Sequence, residues 1–159
     1  MILQEKYTLS NGVEIPKIGL GTWFISNETV AQAVKDAVEI GYRHIDTAQA
    51  YGNEKGIGER IKSCDIKRAD LFITTKLAAE IKSHGEAVAS IDSSLKALGL
   101  DYIDLMIIHS PKPWAEYGKE DRHFEGNREA WRALEDAYKA GKLRTIGISN
   151  FQVVDIEKL

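Results

Sequence analysis

HIDTAQAYGNE, residues 44–54, places a carboxylate, Asp46, and a phenol, Tyr51, at the end of one apolar strand, YRHIDTA (42–48). The flanks of this stretch decide the fold. Upstream, between Glu28 and Ile40, Val30, Val34, Ala37 and Val38 recur at helical spacing, and Gly41 is a natural left-handed C-terminal cap. Downstream, Asn53 is placed to cap a second helix carrying Ile57 and Ile61 on one face. The unit is helix, strand, helix, with polar residues gathered at the strand's C-terminal end.

Reading outward, the unit repeats. LFITTK (71–76) is a strand, Ser83 with Glu86 forms a capping box, and Val88, Ile91, Leu95 and Leu98 line a third helix that Gly99 ends. YIDLMIIH (102–109) is another strand, followed by a long polar loop holding Trp114 and Phe124. A fourth helix over about Arg128 to Ala140 uses Trp131, Leu134 and Ala137, with Gly141 as its cap. LRTIGISN (143–150) is a fifth strand, and FQVVDIEKL begins a further helix. Toward the N-terminus, KIGLGTW (17–23) is a short apolar strand whose glycines allow close approach of another strand or a ligand. YTLSNGVEI (7–15) is a hairpin, with Asn11-Gly12 suited to a type I′ turn.

Alternating βα units demand right-handed crossovers and a parallel sheet, which an open doubly wound sheet and a closed (β/α)8 barrel both satisfy. No strand is followed by a GxGxxG turn, and polar residues end every strand from the second to the fifth, where barrel active sites are assembled. The barrel is the expected fold class.

Composition narrows the function classes. With 159 residues, 43% of them hydrophobic, the chain buries a core of single-domain size. Net charge is −3, from 21 basic and 24 acidic residues scattered without runs, so nothing points to a nucleic-acid or membrane-surface partner. The lone Cys64 reads as a helix residue, and the absence of a signal-like N-terminal run makes the cytoplasm the expected compartment. His44, His84, His109 and His123 show no metal-ligand spacing, so no metal is expected.

Taken singly, Asp46 reads equally as a cap, Lys76 as a surface lysine, His109 as a core histidine and Tyr51 as a packing residue. All four stand at or just past the C-terminal ends of adjacent parallel strands, which brings them to one mouth of the barrel. Asp46 and Lys76 would pair at the base of a pocket, and an ammonium beside Tyr51 would favour its anion, tuning it as a general acid. His109 would orient a carbonyl oxygen. Such a set protonates an oxygen as it gains charge; Ser149-Asn150, at the end of the fifth strand, offers hydrogen bonds to a nicotinamide carboxamide, the hydride source.

KIGLGTW, YRHIDTAQAYGNE, ITTK, MIIHSP and GKLRTIGISNF together resemble, in order and spacing, the aldo-keto reductases, and the bacterial members related to diketogluconate reductases in particular. The resemblance implies a (β/α)8 barrel that uses NADPH (NADP) to reduce aldehydes and ketones, with Asp46, Tyr51, Lys76 and His109 as catalytic tetrad and Tyr51 as proton donor. It implies Gly21, Thr22 and Asp46 near the nicotinamide riboside, Ser149 and Asn150 on the carboxamide, and Trp23 and Trp114 as substrate walls beside Tyr51 and His109. Leu77-Ala78 and Ser110 stand where many relatives carry tryptophans, implying a wider or more polar pocket.

Family members are about twice this length, in line with complete barrels. Residues 1–159 are thus expected to be the N-terminal portion of one barrel domain: a hairpin, four βα units and a fifth strand, without strands six to eight. A half-barrel leaves sheet edges open, so self-association or a complementing C-terminal half is expected. The competing expectation is a non-catalytic half-barrel serving as an assembly or binding module.

Overall fold

The computed structural model describes residues 1–159. A hairpin of β1 (Lys6–Thr8) and β2 (Glu14–Pro16) precedes a five-stranded parallel sheet of β3 (Leu20–Gly21), β4 (His44–Asp46), β5 (Phe72–Leu77), β6 (Ile103–Ile108) and β7 (Leu143–Ile148). Between the sheet strands run α1 (Val30–Ile40), α2 (Glu54–Ser63), α3 (His84–Leu98) and α4 (Phe124–Lys139); α5 (Val153–Ile156) follows β7.

Strand order across the sheet is the chain order, β3 to β7. A doubly wound sheet reverses order at a switch point, and this one never does. The helices follow the same sense: α1 packs on α2, α2 on α3, and α3 on α4. This is the singly wound arc of a (β/α)8 barrel, as the sequence leads one to expect.

The helix-facing side of the sheet is apolar. Ile45, Ile73, Leu77, Met106 and Ile108 join Val30, Val34, Ile57, Ile91, Leu98 and Leu134 in one core. Close helix packing there requires a glycine, because a Cβ at Gly58 would stand 2.3 Å from the Leu98 carbonyl oxygen. Because side chains alternate along a strand, Thr75 turns toward α2 and α3 while Lys76 turns to the other face. The register pairs Gly21 with Asp46, Asp46 with Thr74, and Lys76 with Ile107, and so lines up the strand ends.

Four local expectations need correction. The hairpin turn is not type I′: only Gly12 has positive φ, at +83°, while the Gly12 amide donates to Leu9 O. Leu9 also donates to Val13 O, which makes a three-residue loop closed by a left-handed glycine. The first sheet strand shrinks from seven residues to Leu20–Gly21, and its tight approach is made at Gly19, where a Cβ would lie 2.6 Å from the His44 ring. The fourth helix begins at Phe124, about a turn before Arg128, so Phe124 belongs to it and not to the loop. Cys64 is the cap of α2 and lies outside the helix proper.

Candidate active site

The β4 strand ends at Asp46, and a single 3-10 turn, Gln49–Tyr51, carries the phenol back over the strand ends. Lys76 lies in β5 and His109 follows β6 directly, so the parallel register delivers all four groups to one edge. The Lys76 ammonium is buried and uses its three protons on three acceptors. It donates to Asp46 Oδ1 at 2.5 Å, to the Thr47 carbonyl at 2.8 Å and to Tyr51 Oη at 3.4 Å. The expected ion pair at the base of the site is present.

The Tyr51 ring meets the His109 ring edge-on at 5.7 Å, and His109 meets Trp114 edge-on at 5.1 Å. Burial, then the positive charge of Lys76, holds the His109 imidazole below its ordinary range, against the opposing pull of Asp46 and Glu80. The ring is neutral at neutral pH. Its Nδ1 is buried without a partner, and its Nε2 takes no hydrogen bond within the chain.

Trp23 forms the opposite wall, 6.5 Å from Tyr51 and stacked on Phe24 at 4.4 Å. Trp114 lies in a short 3-10 turn, Trp114–Glu116, with its amide on Glu80 Oε1 at 3.3 Å. Tyr117 stacks on Trp114 and its hydroxyl shares a 2.7 Å hydrogen bond with Ser110. The position after the histidine is therefore polar and filled from a residue further along the loop.

At the far side, Asn150 sits at φ +62° and donates to the His109 carbonyl at 2.8 Å and to Ser149 Oγ at 3.2 Å. The backbone of Gly21 is open, with nothing within 4 Å of where a Cβ would stand. Thr22 is different, because it is fully buried with both its amide and its hydroxyl on the Asp46 carbonyl. Its connection to the site runs through Asp46.

Three contributors escape a sequence reading. Asn53 does stand at the N-cap of α2, yet its side chain does not cap the helix and instead bonds Thr47, Thr22 and Ile25. Gln49 accepts the Ala78 amide at 2.8 Å and donates to Ser94 at 2.9 Å. Glu54 is buried and receives Thr75 Oγ1 at 2.6 Å. Their signal was the density of polar residues in QAYGNE at a helix start, where capping was the nearer explanation.

A concavity of about 980 Å³ lies elsewhere, at the N-terminal end of the sheet between the hairpin, Arg43, Phe72 and Arg144. None of the residues above lines it. Nor does any group of three His, Cys, Asp or Glu side chains stand together as a metal site would require.

The whole arrangement, a βα arc with carboxylate, ammonium, phenol and imidazole at its strand ends, has a match among known proteins: the model of the Aldo/keto reductase family fits residues 17–159. The chain belongs to the aldo/keto reductase family. It is 46% identical over 162 residues to the uncharacterized oxidoreductase YtbE of Bacillus subtilis, covering 99% of this chain and 54% of that protein. Glyoxal reductase of the same organism is 44% identical over 158 residues, covering 99% and 53%. The crystal structure of the Bombyx mori aldo-keto reductase in complex with NADP superposes with a TM-score of 0.84 at 36% identity, covering 97% of this chain and 53% of that one. The chain thus spans about half the length of the curated relatives it matches.

Proposed function

We propose that the protein is an NADPH-dependent carbonyl reductase acting on small aldehydes and ketones, glyoxal-type dicarbonyls among them, and that residues 1–159 are the N-terminal portion of one barrel domain carrying its proton-transfer site. The observation that carries this reading is the saturated ammonium of Lys76. Its contact to Tyr51 Oη occupies an oxygen lone pair and leaves the O–H of Tyr51 free to donate outward. Asp46 and the Thr47 carbonyl fix the ammonium in that position.

A carbonyl oxygen seated between Tyr51 and His109 receives two donors. The neutral His109, protonated on Nε2, orients the oxygen, and Tyr51 hands over its proton as negative charge develops there. Trp23 and Trp114 flank that position. NADPH, when bound, supplies the hydride. Within this chain the open backbone at Gly21 and the Ser149-Asn150 pair fit its nicotinamide end, because Asn150 Oδ1 takes no hydrogen bond from the chain and a carboxamide is a matching donor. Asp46 and Thr22 hold the adjoining strand end. The NADP complex of a relative of the same fold supports the choice of cofactor, and the glyoxal reductase relative supports the substrate class.

The test follows NADPH oxidation with glyoxal and methylglyoxal in the whole protein and in Tyr51→Phe. Loss of a positioned general acid is expected to lower kcat by roughly 10²–10⁴-fold, with NADPH binding by nicotinamide fluorescence unchanged. A variant that keeps near wild-type turnover overturns the assignment of the proton donor.

The partner follows from the sheet edges, since β3 pairs only with β4 and β7 only with β6. Unpaired ladder groups of this kind are covered in stable proteins. The 159-residue chain alone is therefore proposed to self-associate, or to bind a complementing C-terminal half. Sedimentation of a well-folded monomer at micromolar concentration is the result that excludes self-association.

No helix is long and apolar enough to cross a membrane.

A further inference from the structure

Asn53 makes contacts that its place at a helix start does not explain. It is fully buried, and every hydrogen-bonding atom of its amide group is engaged except one acceptor site. Oδ1 accepts from Thr47 Oγ1 at 2.7 Å, while Nδ2 donates to the Thr22 carbonyl at 2.9 Å and to the Ile25 carbonyl at 2.8 Å. The helix it precedes receives no side-chain cap. Such a cap typically contributes about 1 kcal/mol, and here the side chain is directed elsewhere.

Two different loops meet at this amide. On one side, Thr22 and Ile25 bracket Trp23 and Phe24, and Phe24 is held at φ +62°. An aromatic side chain in that region is strained and persists only where its surroundings fix it. The two donations from Asn53, with the Ile25 amide on the Thr22 carbonyl at 3.1 Å, supply that fixation. On the other side, Thr47 presents its carbonyl to Lys76 at 2.8 Å, one of the three contacts that aim the ammonium at Tyr51. Thr22 closes the circuit through its two bonds to the Asp46 carbonyl.

We propose that Asn53 is a positioning residue that couples the Trp23 substrate wall to the Lys76–Asp46 pair, so that the wall and the proton-transfer groups hold one fixed spacing. The proposal rests on the carbonyl-reductase reading for its kinetic consequences but not for its geometry. Asn53 touches no reacting atom. It acts through Thr47 on Lys76 and through Thr22 and Ile25 on Trp23, and its loss moves both together.

The informative variant is Asn53→Asp, which keeps the shape and the acceptor for Thr47 but removes both donors. A carboxylate oxygen then faces the Thr22 and Ile25 carbonyls. The control is Ser83→Ala, which removes the cap of α3, away from the site, and lowers stability without touching either loop. Two readouts are needed in the whole protein. The first is the indole N–H spectrum, with the Trp23 signal identified by its loss in Trp23→Phe; that signal is expected to move in Asn53→Asp and stay in Ser83→Ala. The second is steady-state kinetics with glyoxal, where KM is expected to rise and kcat to fall together, up to about a hundredfold in kcat/KM.

If the wild type shows no turnover, the reductase reading fails while the Trp23 signal still judges the coupling. An unmoved Trp23 signal in folded Asn53→Asp overturns the proposal, as do equal kinetic losses in Ser83→Ala. Should Asn53→Asp not fold, Thr47→Val removes only the bond from Thr47 to Asn53, and a smaller shift of the same signal is expected. No shift in that variant overturns the proposal as well.

Discussion

Thr75 donates to the buried carboxylate of Glu54 at 2.6 Å, on the opposite face of β5 from the Lys76 ammonium one residue along. The strand that aims the ammonium is thereby tied from behind to α2, and Ser94 of α3 adds a second donor to the same carboxylate at 3.3 Å. Burial raises the Glu54 pKa above the ordinary carboxylate value, with the two hydroxyls pulling the other way.

That environment sets a prediction for Glu54→Gln. A folded-state pKa raised above the unfolded one gives stability that is complete below the unfolded value of 4.5 and lost as pH rises through the folded value. At neutral pH the wild type bears the whole cost of the buried charge, and the amide variant bears none while still accepting from Thr75. Urea unfolding is expected to find Glu54→Gln at least as stable as wild type at pH 7, with its relative advantage shrinking toward pH 4. A variant clearly weaker at pH 7 and unchanged in relative stability on acidification contradicts this account.

Glycine packing between α2 and α3 gives a second expectation. A Cβ at Gly58 would press on the Leu98 backbone at 2.3 Å, where neither partner is a flexible side-chain end. Gly58→Ala is expected to destabilise the chain by about 1–3 kcal/mol or more, as overpacking does. Gly85, in the first turn of α3, has nothing within 4 Å, so Gly85→Ala is expected to stabilise by roughly 0.5–1 kcal/mol through helix propensity. Thermal unfolding of the two variants side by side checks both signs. Equal shifts would show that helix propensity, not contact, decides.

The sequence made the βα order and the four site groups legible for one reason. Helical and strand periodicities are local signals, and residues at strand ends are brought together by any parallel sheet, so Asp46, Lys76 and His109 needed no knowledge of packing. Hidden features depended on direction and distance. Asn53 caps helices in most settings, and only the position of the Thr22–Ile25 turn reveals that its side chain points the other way. The first turn of α4 is hard to see in the sequence, because its inward residue, Asn127, is polar; in the fold it is buried and bonded to Lys82 and the Pro111 carbonyl. The hairpin turn type does not follow from Asn11-Gly12 alone, which suits more than one; the Asn11 side chain accepts the Val13 amide and reaches the Arg144 carbonyl.

Lys82 connects the loop after β5 to the loop bearing Trp114, and its titration gives the last prediction. Its ammonium donates to Asn127 Oδ1 at 2.8 Å and to the Ser110 carbonyl at 3.2 Å. Burial pushes its pKa down to about 8, against the pull of the Glu80 carboxylate. The unfolded chain takes up this proton near 10.5, so between that value and about 8 the unfolded state holds more protons than the folded one. Stability from this group is therefore present above about pH 10.5 and lost as pH falls through about 8. In Lys82→Met the contribution is absent at every pH, and the lost hydrogen bonds add only a constant offset. The wild-type advantage over Lys82→Met in urea is thus expected to grow from pH 8 toward pH 10, with other titrating groups cancelling between the two proteins. Parallel curves across that window would mean that the ammonium keeps its ordinary affinity for the proton in the fold. A growing gap would show that burial eases the loss of the Lys82 proton in the fold.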